Sequence, residues 1–258
     1  MWRVIRIAVL LFILATVAQG AWLARSRTAA WNNTLRVVIY PVNADGSQAS
    51  AQYISELRQA AFVPIETFFK EEGRNYAVQL SMPVEVSIAP AVSSRPPAAP
   101  AGGGKPEAIL WSLRLRYWAY WNDTHKGPKP DVRMFVSYYD PAQRPRLSHS
   151  IGLQKGLIGV VNAFARADMD GSNNVVIAHE LLHTFGATDK YDFANNRPLY
   201  PDGFADPQAR PLYPQTRAEI MAGRIPVAED RAEIPGGMED VAIGAKTARE
   251  INWVKAGK

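Results

Sequence analysis

The segment at 179–189, HELLHTFGATD, carries residue types and spacing suited to metal-assisted hydrolysis. On a helix, positions four apart project from one face about one turn apart, so His179 and His183 can offer two imidazole nitrogens to one ion. Glu180 lies to the side of that face, where its carboxylate can take a proton from a water activated at the metal without itself being a ligand. The neighbouring Val175, Val176, Ile177, Leu181 and Leu182 are apolar, as befits a helix buried beneath a cleft. A working zinc site keeps three protein ligands and one open position. Gly186 gives a route to the third, because glycine can take the left-handed conformation that ends a helix and turns the chain back. Asp189 is then the nearest oxygen donor able to return to the metal, with Asp192 as a competitor. The competing reading is an amphipathic helix with two incidental histidines.

Cysteine is absent, which excludes disulfide scaffolds, iron–sulfur clusters, Cys-ligated zinc and thiol catalysis. Any metal must rest on His, Asp or Glu. The other two histidines, His125 and His149, fall in polar loops and read as solvated. The stretch Asp168-Met169-Asp170-Gly171-Ser172-Asn173-Asn174 starts like an EF-hand loop, but its twelfth position is His179 rather than Glu. It reads instead as a turn in which Ser172 or Asn173 caps the helix that follows.

The run HExxHxxGxx followed by a ligand resembles the zinc signature of the metzincin metallopeptidases. Asp189 stands where most members have a third His, and snapalysin-like families use Asp there. The resemblance covers residues 34–254 and implies an α+β fold: a twisted mixed sheet with an edge strand, a zinc-binding helix, a Met-turn and a C-terminal helix. It implies Zn2+ held by His179, His183 and Asp189, with Glu180 as the catalytic base for peptide-bond hydrolysis. The segment AEIMAG (218–223) resembles the Met-turn, with Met221 as the apolar floor below the metal; a core Met at a loop end is the plainer reading. Residues 159–164 would be the edge strand, Gly159, Val160, Val161 and Asn162 holding a substrate peptide by its backbone. In several metzincin families a Tyr two residues after the Met supports the transition state. Position 223 is Gly here, which leaves Tyr191, Tyr200 or Tyr213 for any such role. A gluzincin-type arrangement with Glu219 as third ligand is disfavoured by Gly186 followed by Asp189.

Elements that would position these residues can be read along the chain. LRVVIYPV (35–42) predicts a buried strand closed by a turn at 43–46. The three- and four-residue spacing of Ile54, Leu57, Ala61, Ile65 and Phe68 predicts a helix over 50–74, capped by Ser50, kinked at Pro64 and stopped by Gly73. Residues 76–88 alternate and predict a second strand or strand pair. Prolines and glycines at 90–106 exclude regular structure there. Residues 107–121 predict an aromatic-rich helix whose rings pack in the core, with Arg114 and Arg116 turned to water. Strands are expected at 131–139 and 156–164, where glycines suggest close approach of another backbone. Helices are expected at 174–185 and 238–254. Two copies of RPLYP, at 197–201 and 210–214, would form proline-fixed turns presenting Tyr200 and Tyr213, and the stretch 193–220 would wall the cleft.

The chain has 258 residues, 47% of them hydrophobic, and a formal net charge of +5. This suffices for one cored domain over 29–258 and is too weak a charge to argue for nucleic acid. Residues 1–28 read as a signal peptide or membrane anchor, with Arg3 and Arg6 ahead of the apolar stretch 7–18. Cleavage before Ala21 would release the protein. An uncleaved segment from Val4 to Ala24 is long enough to span a bilayer, with Trp2 and Trp22 near its interfaces. The expectation is an exported or membrane-tethered monomeric zinc endopeptidase acting on a peptide or protein substrate, facing the periplasm or cell exterior. The alternative is an envelope peptide-binding module with structural zinc, which would have no need of Glu180.

Overall fold

Four β-rich runs pair in parallel, and a short fifth strand closes one side of the sheet. The computed structural model describes residues 2–3, 5–8, 30–100, 104–154 and 156–254. Most of the signal or anchor segment at 1–28 therefore lies outside the described residues, among which no helix is long and apolar enough to cross a membrane. Strands β1 (Leu35–Asn43), β2 (Val84–Ile88), β3 (Val132–Tyr139), β4 (Ile151–Leu153) and β5 (Ile158–Phe164) lie in the order β2-β1-β3-β5-β4. Only β4 is antiparallel to its neighbour.

Strand alternation sorts side chains into two cores. Leu35, Val37 and Ile39 of β1, with Val132, Met134 and Val136 of β3, face one; Val38, Tyr40 and Val42, with Phe135, face the other. Burial on both faces is why these strands read as continuous apolar runs. Helices α1 (Gln48–Glu56) and α2 (Val63–Asn75) cover the first face, α3 (Lys105–Trp121) covers the second, and α4 (Asp170–Phe185) returns to the first. A six-residue helix, α5 (Ala245–Glu250), ends the body.

Several expectations are corrected by local chemistry. The helix expected over 50–74 is two helices and a 3-10 turn, because Leu57 leaves helical conformation. Ser47, not Ser50, caps α1, accepting from the Ser50 N–H at 3.0 Å. Pro64 falls in the first turn of α2, where its missing N–H costs nothing, so it starts a helix rather than kinking one. Gly73 is not a stop; it sits inside α2 against Pro83 and Val78. The region 76–88 yields only β2. The closing helix expected at 238–254 is a 3-10 turn, a two-residue strand and α5.

The aromatic helix divides sharply. Trp111, Leu115, Trp118 and Ala119 pack on the sheet, but Tyr117, Tyr120 and Trp121 do not join the core and are 68–71% exposed. Among the described residues α3 is the one helix on this sheet face, and only one of its sides has a partner there. Arg114 is exposed as expected; Arg116 is half-buried beside Gly156. The RPLYP echo has a packing role, since Tyr200 and Tyr213 set their rings 5.4 and 5.8 Å from that of buried Phe204.

Candidate metal centre

Helix α4 carries the His pair, and its ends are fixed by the sequence around it. It begins at Asp170, four residues earlier than expected, with Met169 as an N-cap that makes no side-chain bond. Ser172 and Asn173 are therefore inside the helix and do not cap it. Asn173 is buried and bridges the Phe164 N–H and carbonyl, pinning the helix to the end of β5. Asp168 pairs with Arg166, and Asp170 accepts from the Tyr53 hydroxyl, so these carboxylates of the EF-hand-like stretch have protein partners. The helix stops at Gly186, whose φ of 109° is left-handed, as the sequence requires.

That turn returns Asp189 to the histidines. Its Oδ1 lies 3.1 Å from Nε2 of His179 and 3.1 Å from Nε2 of His183. The Nδ1–H of His179 donates to the Ile220 carbonyl and that of His183 to the Ala187 carbonyl, both at 2.8 Å. These bonds place the ring proton on Nδ1 and turn both Nε2 lone pairs toward Asp189 Oδ1. Three lone-pair donors so close repel one another unless positive charge sits among them. Donors about 2.0–2.1 Å from a tetrahedral zinc stand about 3.3 Å apart, close to the spacing found. The residues therefore fit a zinc-sized cation.

Where no cation sits among these donors, a proton supplies the positive charge. Burial opposes a proton on His179, but the Asp189 hydrogen bond, the Glu180 charge and the Ile220 carbonyl outweigh it, and its pKa lies above the usual imidazole value. Burial alone would raise the Asp189 carboxyl; the bonds and charges of His179 and His183 hold it far below the carboxylate range. Both tendencies favour a proton held between His179 and Asp189, where a cation would compete for the same lone pairs.

The other candidate ligands are engaged elsewhere. Asp192 caps a turn, accepting from the Ala194 N–H and from the Asn195 side chain. Glu219 is fully buried and accepts from the Thr247 hydroxyl and the Gly244 and Ala222 N–H groups. It locks the turn at 219–223, where Met221 is buried in the same core as Leu181 and Leu182 and where Ile220 orients His179. A clamp that the sequence did not reveal holds the Asp189 loop. Glu250 of α5 accepts from the Thr188 N–H, the Thr188 hydroxyl and the buried Lys190 ammonium, while the Lys190 N–H bonds the Met221 carbonyl. Glu250 lies sixty residues from its partners, and no local pattern marks it.

Glu180 has the environment of a base held ready. It is 6% exposed, and its Oε2 has no hydrogen-bond partner. Burial raises its pKa above the usual carboxylate value, with Asp189 adding to the rise and His179, His183 and the Gly152 N–H opposing it. One donor atom from each of His179, Glu180 and His183 falls within 4.8 Å of the others, but Asp189 approaches both imidazoles more closely. A cavity of about 430 Å³ opens over this centre, bounded by His149, Asn162, Val176, Tyr191, Arg224 and Ile234. Of the three candidate tyrosines only Tyr191 reaches this cleft. Residues 193–220 contribute only Asn196 to the wall, correcting the expectation for that stretch. His149, read as solvated, is exposed at the cleft lip.

The sheet edge is also corrected. β5 is not the edge: β4 pairs with it through Ile151–Val160, Gly152–Gly159 and Leu153–Ile158. Gly159 and Val160 are thereby covered, Val161 is buried in the core, and Asn162 anchors the chain before β4 through the Ser148 and His149 carbonyls. β4 was missed because it is three residues long. Its Gly152 is obligatory, since a Cβ there would stand 2.2 Å from the Glu180 carbonyl oxygen. At Gly159 the close neighbour is not backbone but the end of the Met134 side chain.

Neither a family model nor a curated protein matches this sequence. Among solved structures it is similar to a chain of "Structure of a chaperone-substrate complex", at 12% identity and a TM-score of 0.40, over 85% of this chain and 33% of that one. The chain thus spans a third of that neighbour's length, and so distant a likeness carries no statement about activity.

Proposed function

We propose that this chain is a zinc-dependent endopeptidase of metzincin-like fold, exported and tethered to a membrane by its N-terminal segment. The observation that carries the reading is the buried, unbonded Glu180 Oε2 beside three convergent donors. A purely structural site has no need of a desolvated carboxylate next to its ligands. His179, His183 and Asp189 would hold the ion. When bound, zinc supplies Lewis-acid polarisation of the scissile carbonyl and makes a neighbouring water more acidic.

The chain's own groups do the remaining work. Glu180 Oε2 takes a proton from the attacking water as the new C–O bond forms, then delivers it to the leaving nitrogen as the C–N bond breaks. Substrate backbone would add to the open side of β4, which runs directly over α4, so binding tolerates many sequences. Selectivity falls to the cleft wall of Val176, Ile234 and Arg224. Tyr191, which lines the same cleft as Glu180, would supply the hydroxyl that supports charge on the carbonyl oxygen.

The test is elemental analysis of the full chain, wild type beside Glu180→Ala, followed by digestion of a mixed peptide library with both. One zinc in each and cleavage by wild type alone is expected. Zinc in both with cleavage by neither would replace the enzyme with a peptide-holding module, and no zinc in either would remove the site.

A further inference from the structure

The two sides of α3 pose a question that the metal centre does not answer. One side, with Leu115 and Ala119 fully buried, closes the second core. The other presents Ile109, Leu110, Leu113, Tyr117, Tyr120 and Trp121, each 41–71% exposed. These positions recur every three or four residues and so form one stripe, about 18 Å long at 1.5 Å per residue. A helix apolar on both sides is built for partners on both sides, and a contiguous exposed apolar stripe marks an interaction surface.

Three observations identify the partner as a lipid bilayer surface. The stripe becomes aromatic toward its C-terminal end, where Trp121 lies 6.2 Å from Tyr117 and 5.5 Å from Tyr120 by ring centroid; Tyr and Trp are the residues of the lipid–water interface. Exposed cations accompany it, with Arg114 on the helix and Lys126 and Lys129 just beyond, as anionic headgroups require. The third is the tether. Only residues 25–29 separate the apolar N-terminal segment from Ala30, a reach of about 20 Å. The body resumes at Ala30 and Trp31, the Trp31 ring lying on the α4 side of the sheet against Phe185, and five residues on, the Arg36 backbone pairs with the N–H and carboxylate of Asp131. Asp131 ends the loop that leaves α3, so the tether and the aromatic end of the helix emerge at the same end of the sheet.

We propose that α3 lies on the bilayer surface, its exposed stripe immersed to the headgroup–acyl boundary and its cations among anionic lipids. This inference rests on the tethered reading of the N-terminal segment and is independent of the peptidase chemistry. It places α4 and the metal centre on the layer facing away from lipid, open to substrates from the aqueous side.

The absence of cysteine makes the test direct. Full-length Leu113→Cys and Tyr117→Cys, with Ser55→Cys on α1 as control, are labelled with an environment-sensitive fluorophore. They are reconstituted into phosphatidylcholine vesicles containing a minority of phosphatidylglycerol, with and without acyl-brominated lipid. Quenching by about twofold or more at 113 and 117 and none at 55 is expected. Labels at 113 and 117 that stay in water would overturn the proposal. So would labels shielded from water but beyond the brominated lipid, which would mean that the N-terminal segment or a second copy covers the stripe. Failure of the chain to float with vesicles would overturn it together with the tether. Peptide cleavage by the same vesicles, read separately, reports on the enzyme reading alone.

Discussion

The two faces of one sheet are finished by different rules. On the α1–α2–α4 face, the polar groups at the centre have assigned partners: His179 to Ile220, His183 to Ala187, Glu219 to Thr247, Lys190 to Glu250. Beside the His pair the unbonded atom is Glu180 Oε2; Ser50 Oγ and Trp253 Nε1 are unbonded elsewhere on this face. On the α3 face, among the described residues, one helix with Ala89 and Val92 does the covering, and the far side of the helix is apolar and exposed. Chemistry needs ligands fixed from every direction, so its layer is thick and cross-linked. An association surface needs only area and composition, and a single helix supplies both.

This contrast can be broken at several points. The largest expected effect is at the exceptional atom: Glu180→Ala should cut kcat by about 10²–10⁴-fold while zinc content stays at the wild-type level. Asp189→Ala should lose zinc on dialysis, by more than the roughly 10–100-fold affinity loss that removal of a supporting partner brings. Asp192→Ala and Glu219→Gln should retain it. If Glu219→Gln alone loses metal, the ligand assignment is wrong. Gly152→Ala forces a Cβ into the Glu180 backbone and should destabilise by about 1–3 kcal/mol, measured by urea unfolding. Gly159→Ala, opposed only by the flexible end of Met134, should cost less.

The smallest effect belongs to the α3 layer. Burial alone would raise the Asp123 carboxyl, but the Tyr40 hydroxyl, Arg133 and the His125 N–H hold it below its ordinary value. A carboxyl lowered in the folded state gives stability that is fully present above its unfolded pKa near about 3.9 and is lost as pH falls through the folded one. Asp123→Asn should therefore lower the urea midpoint at neutral pH, and the difference should shrink below about pH 4. An equal difference at both pH values would show that the ion pair is not its source.

Local patterns made part of this legible. Apolar runs gave β1, β3 and β5, because strands buried on both faces leave a continuous signature in composition. Spacing gave the convergence of His179, His183 and Asp189, because i and i+4 on a helix and a glycine stop are short-range geometry. What escaped was set by distance or brevity. The three-residue β4 displaced Gly159–Asn162 from the sheet edge, and Glu250 reaches Lys190 only after the whole chain has folded. The aromatics of α3 misled for another reason: sequence shows that a ring is apolar, not whether the protein itself covers it.

Trp31 carries a last consequence. Its ring packs edge-on against Phe185, the final residue of α4, at 5.3 Å and against Trp253 at 5.6 Å, and its indole N–H donates to the Ile251 carbonyl. The beginning and end of the folded body are thus knotted together at the foot of the metal helix. Cleavage before Ala21 would leave ten residues ahead of Trp31 and that knot whole, so loss of residues 1–20 would be invisible to the centre. A nick just past Trp31, or a C-terminal trim past Trp253, would loosen the helix two residues from His183. Proteolysis at either end is therefore expected to loosen the His179–His183 pair before the sheet itself comes apart.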